Sequence, residues 1–92
     1  MEILNYIDVD KNSRLPIYQQ IVDSIIKNIS IGTIELNQKL PSINSISQDL
    51  YLSRDTVEKA YNILKERNII VSIPRRGNYV VNIETTNKLK IL

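Results

Sequence analysis

Ninety-two residues allow one domain with an economical core, and 42% apolar with 24% charged residues, the charges well mixed, exclude wholesale disorder. No cysteine is present, which excludes disulfides and thiolate metal sites, and no histidine is present to serve as a catalytic base. The net charge of +2 is small but unevenly placed: residues 1–35 carry three basic and five acidic side chains and residues 36–92 nine and five, so a polyanion would choose the C-terminal two-thirds.

The opening Met1-Glu2-Ile3-Leu4-Asn5 lacks the basic and apolar regions of an export signal, and no apolar run approaches the roughly 20 residues that span a bilayer. A cytoplasmic location away from membranes is expected, and the sequon Asn28-Ile29-Ser30 is set aside. Residues 1–15 read as an extended arm, with Ile3, Ile7 and Val9 alternating before the loop-like Asp10-Lys11-Asn12-Ser13-Arg14. From Pro16, a residue suited to a helix start, Ile17, Ile21, Ile25 and Ile29 recur every fourth position and predict a first helix to Ser30, stopped by Gly32.

Asn37-Gln38-Lys39-Leu40-Pro41 is a connector, after which Ser42 is expected to cap a short second helix with Ile43, Ile46 and Leu50 inward. Ser53 is expected to cap a third, burying Val57, Ala60, Tyr61 and Leu64 and ending at Asn68, and the intervening Tyr51-Leu52-Ser53 suits a helix-turn-helix. The period then changes to two: Ile69, Val71 and Ile73 on one run and Tyr79, Val81 and Ile83 on the other predict a hairpin around Pro74-Arg75-Arg76-Gly77-Asn78. The fold class is therefore mainly α with a small β-hairpin, a winged helix-turn-helix of three helices and a wing over 16–83, with 84–92 a C-terminal linker.

Such an architecture places the third helix, about 54–67, in a DNA major groove, its N-terminal residues at base edges, and the wing, about 74–78, on the minor groove or backbone. Arg54 has the planar fork that matches guanine, with Asp55 beside it. Ser53 and Thr56 carry short hydroxyls where a helix N-terminus favours a phosphate oxygen. Lys39, Ser42 and Asn44 offer further phosphate contacts, and Arg75, Arg76 and Gly77 form the wing tip. Glu58 and Lys59 read as groove-edge or solvent residues, and Lys65 and Arg67 as complements to the C-terminal end of the helix.

Five motifs stand in order: Pro16-Ile17-Tyr18, Lys39-Leu40-Pro41-Ser42, Ser53-Arg54-Asp55-Thr56-Val57, Ala60 with Leu64, and Gly77-Asn78-Tyr79-Val80. Over residues 16–81 the chain resembles the N-terminal DNA-binding domain of the GntR family of bacterial regulators, and Pro16-Ile17-Tyr18-Gln19-Gln20-Ile21 most resembles its YtrA-like branch. Three positions depart from the family pattern, Asn37 and Asn68 for glycines and Asn44 for an arginine. Asparagine tolerates left-handed backbone, so the first two leave the fold intact, whereas Asn44 removes a charge and implies a different operator or affinity. The resemblance implies a double-stranded DNA operator as partner, repression by default, a homodimer, and a small-molecule effector acting through a further domain. Because Lys88-Leu89-Lys90-Ile91-Leu92 resembles the opening of a strand, the chain is expected to be part of a longer regulator.

Two rivals are weaker. A winged helix also serves as a protein-interaction module, but apolar or acidic residues would then be expected where Ser53-Arg54-Asp55-Thr56 stands. RNA binding lacks an aromatic platform. Asp8-x-Asp10-x-Asn12 begins like a calcium loop but has Ser13 where glycine is needed and Gln19 where glutamate is needed. Neither a phosphate-cradling loop nor a paired nucleophile and base is present, so no enzyme, metal or cofactor is expected.

Overall fold

Three helices and a two-stranded hairpin follow one another in a computed structural model that describes residues 7–81. Helix α1 (Ile17–Ser30) has Pro16 as its N-cap (φ −55°, ψ 146°), one position earlier than a first-turn proline, and the Pro16 carbonyl accepts from Gln20 N–H. Gly32, at φ 88°, turns the chain out of α1 while its N–H bonds the Ile29 carbonyl. Helices α2 (Ile43–Leu50) and α3 (Arg54–Glu66) are capped as expected: Ser42 Oγ accepts from Ser45 N–H and Ser53 Oγ from Thr56 N–H.

The inward stripes converge on one core. Ile21, Val22, Ile25 and Ile29 of α1 meet Ile46 of α2 and Val57, Ala60, Tyr61 and Leu64 of α3, with Ile34 and Leu40 of the connector sealing one side. Each such Ile, Leu or Val side chain, removed from water, stabilises the fold by roughly 1.5–3 kcal/mol. Tyr61 is also a strut: its phenol donates to the Pro41 carbonyl at 2.5 Å, tying the middle of α3 to the residue before the α2 cap. Burial pushes its ionisation well above the ordinary tyrosine range, so the donor hydrogen is retained.

The wing comprises β1 (Ile70–Ile73) and β2 (Gly77–Val80), antiparallel with Ile70 opposite Val80 and Ile73 opposite Gly77. Its buried face differs from the sequence expectation. Ile70 and Val80 point into the core, while Val71, Ile73 and Val81 are exposed. The cause is local: Asn68 at φ 61° ends the helix and Ile69 N–H bonds the Leu64 carbonyl, so Ile69 belongs to the terminating turn and strand alternation begins one residue later. Asn37 is also left-handed at φ 70°, so both asparagines occupy the geometry expected of them.

Beyond β2 the connector adds an antiparallel bridge, Lys39 with Tyr79. Asn37 N–H bonds the Val80 carbonyl, Val80 N–H the Gln38 carbonyl, and Leu40 N–H the Asn78 carbonyl. The arm is partly built into the domain, since Ile7 is buried and Val9 packs against the core. Residues 1–6, Ile83 and the expected linker at 84–92 lie outside the described residues. Among the described residues no helix is long and apolar enough to cross a membrane, and no three His, Cys, Asp or Glu gather as for a metal.

Candidate nucleic-acid interface

Two capped helix N-termini and a hairpin tip supply the polar groups of the site. At the start of α3, Ser53 Oγ accepts from Thr56 N–H at 3.1 Å and donates to Thr56 Oγ1 at 2.9 Å. The serine hydrogen is thus committed to the cap, and the Thr56 hydroxyl keeps its own hydrogen to donate outward. Ser42 repeats the arrangement at the start of α2, donating to Ser45 Oγ at 3.0 Å. Arg54 and Asp55 follow directly, both exposed, and Asn44 is exposed in the first turn of α2. Glu58 and Asn62 continue the stripe from Asp55 at helical spacing, both exposed. Asn62 was not singled out in the sequence, although its place seven residues after Asp55 put it on the same face.

The turn joining α2 to α3 is held by Ser47, whose carbonyl accepts from Tyr51 N–H and from Leu52 N–H at 2.9 Å, and whose Oγ donates to the Leu52 carbonyl at 2.5 Å. These bonds fix the angle at which α3 leaves α2. Lys59 is not simply a solvent residue: its ammonium lies 4.1 Å from the centroid of the Tyr18 ring, a cation–π contact that fastens α3 to α1. A tyrosine on α1 and a lysine on α3 carry no shared sequence pattern, so only packing shows the pair.

The wing tip is a tight turn in which Arg76 N–H bonds the Ile73 carbonyl at 2.9 Å, with Arg75 left-handed at φ 69° and Gly77 at φ 119°. A side chain at Gly77 would meet Lys39 Cε at 3.0 Å, so the glycine lets the lysine lie across the wing. Lys39, Ser42, Arg75, Arg76 and Gly77 line one open cleft between the start of α2 and the wing, three cations around a single groove. Asn78 lines it as well, and its Oδ1 is buried with no hydrogen-bond partner among the described residues. Of the residues singled out in the sequence, these five converge on the cleft. Asn44, Ser53, Arg54, Asp55 and Thr56 do not line it and sit on the helices beside it.

Comparison with known proteins places this geometry. The profile described as "Bacterial regulatory proteins, gntR family" matches residues 17–80. The chain is 33% identical over 81 residues, 87% of its length, to the HTH-type transcriptional repressor YtrA of Bacillus subtilis, and spans 62% of that protein. Among solved structures, YtrA from Sulfolobus acidocaldarius, a GntR-family transcription factor, is similar with a TM-score of 0.79 and 37% identity, covering 94% of this chain and 90% of that one. The DNA-binding domain of AraR in complex with operator ORX1 is similar with a TM-score of 0.73 and 28% identity, covering 83% of this chain and 98% of that one.

Proposed function

The chain belongs to the gntR family of bacterial regulatory proteins and has its winged-helix fold, and from that premise we propose that it is the sequence-specific duplex-DNA reader of a transcription regulator. Helix α3 enters the major groove, Arg54 reads a guanine through its paired N–H donors, and Asp55 accepts from a cytosine amine. Thr56, Ser42 and Asn44 hold phosphate oxygens and set the register. Arg75, Arg76 and Lys39 follow the backbone or minor groove beside the wing, with Gly77 permitting the close approach. The observation that carries this reading is the three-cation cleft abutting the capped N-terminus of α2, in a chain similar in fold to the AraR DNA-binding domain that is seen bound to an operator.

Repression is the default, as in the YtrA relative of Bacillus subtilis. The protein acts in the cytoplasm, without catalysis, as a homodimer. Its DNA-binding unit is residues 16–83, and 84–92 lead to a domain through which a small-molecule effector acts. The test is selection from random-sequence duplexes at moderate salt, with Arg54→Ala in parallel. A short motif as two-fold-related half-sites, with base preference lost in the variant, supports the reading. No enrichment, even after fusion to a dimerising coiled coil, overturns it in favour of a protein-interaction module.

A further inference from the structure

Among the described residues, four other than glycine hold a left-handed backbone: Asn37, Tyr51, Asn68 and Arg75. Asparagine takes this conformation at lower cost, because a short polar side chain is able to bond the local backbone. Tyrosine has no such compensation, yet Tyr51 stands at φ 56° as the C-cap of α2. The Ser47 hydrogen bonds hold this helix-ending turn through the backbone of Tyr51 and Leu52 alone, and the tyrosine side chain, in a residue 85% exposed, contributes little packing to it. A large ring kept exposed at a turn that glycine would make at lower cost points to a role at a surface. That surface adjoins the DNA-reading residues, since Ser53, the cap of α3, is two positions further on.

A cation is delivered to the same spot from a distant part of the chain. Lys11 Nζ donates to the Tyr51 carbonyl at 3.2 Å, across 40 residues of sequence. The loop that carries Lys11 is fastened by the buried Gln20, whose Oε1 accepts from Asp10 N–H at 2.7 Å and whose Nε2 donates to the carbonyls of Asp10 at 3.0 Å and Leu15 at 2.8 Å. An ammonium has three donors, so hydrogens remain for an external acceptor. On the loop itself Asp10 Oδ1 accepts from Asn12 N–H, and Asp8 lines a separate cleft beside α1 with Asp23 and Lys27. Eight residues of α2, about 12 Å at the helical rise, separate this cation from the wing cleft at the other end of that helix.

We infer that Tyr51 and Lys11 form a second DNA-backbone contact at the end of α2 away from the wing. The Lys11 ammonium takes a phosphate oxygen, and the Tyr51 phenol donates to phosphate on the same strand. The inference rests on the DNA-binding reading above and adds to it a contact from the net-acidic first third of the sequence. Being a backbone contact, it holds the protein on any duplex and does not discriminate bases.

The test measures binding of the full chain, by fluorescence anisotropy across a salt series, to the selected duplex and to a mixed-sequence duplex of about 30 bp. Lys11→Gln is expected to reduce the slope of log affinity against log salt by about 0.9 on both duplexes. Tyr51→Gly is expected to weaken both about three- to tenfold, one hydrogen-bonded contact, while its Tm equals or exceeds that of the wild type because the strain is relieved. Arg54→Ala, run alongside, loses preference between the duplexes. If Arg54→Ala behaves so while Lys11→Gln and Tyr51→Gly bind with wild-type affinity and salt slope, the inference falls and the DNA reading stands. A fall in Tm for Tyr51→Gly would assign the tyrosine to folding and also overturn it. Wild-type protein that binds neither duplex removes both.

Discussion

Tyr61 concentrates two effects in one side chain. It fills the core at full burial and its phenol donates to the Pro41 carbonyl, so Tyr61→Phe is expected to cost about 1–2 kcal/mol in urea unfolding at neutral pH. The same phenol sets an alkaline limit. Its ionisation lies above the ordinary value of 10.0 in the folded chain, so above about pH 10 the unfolded state holds fewer protons than the folded one and stability falls as pH rises. Tyr61→Phe is therefore expected to begin less stable at pH 7 and to lose less between pH 9 and 11. An equally steep alkaline decline in the variant would show that the buried phenol is not its source. Gln20 shows how a residue that looks like part of a family motif in the sequence is chosen for a buried polar task, because the three backbone groups it satisfies lie in a loop with no ladder of its own.

At the scale of elements, the caps and inward faces were legible because both depend on near neighbours. Ser42 and Ser53 stand immediately before apolar periodic runs, and the buried set of α3 is the one its spacing shows. Ser53→Ala is expected to destabilise by about 1 kcal/mol and to weaken DNA binding further by releasing Thr56, checked by thermal unfolding beside anisotropy. The strand face was not legible, since Ile69 is claimed by a helix-ending turn that an apolar run cannot announce. Nor was the link between connector and wing, which joins residues some 40 positions apart in sequence. Gly77→Ala tests that link. The φ of 119° and the contact with Lys39 predict a cost of about 1–3 kcal/mol, with faster hydrogen exchange confined to 37–40 and 70–80. Faster exchange throughout would place the strain elsewhere.

For the whole molecule, residue types named candidates in the sequence but not their arrangement: five of them line one cleft and the other five sit on the helices beside it. Charge counting assigned the first third of the chain no part, because a sum over residues 1–35 hides where the folded loop carries Lys11. One winged helix covers only about 600–1,000 Å² of DNA, which limits a single copy. Joining two copies through a parallel coiled coil is expected to raise apparent affinity for a duplex with two half-sites on the order of 10²–10⁴-fold over one half-site. Equal affinity for the two duplexes would show that the copies do not engage together. The bridge between connector and wing has a mechanical meaning as well. Strand β2 is bonded to β1 on one edge and bridged to residues 37–40 on the other, so a pull along the chain past Val81 loads those bonds in shear. The load arrives at Leu40 and Lys39, directly ahead of the α2 cap, and reaches the wing and the helix-turn-helix through a single strand.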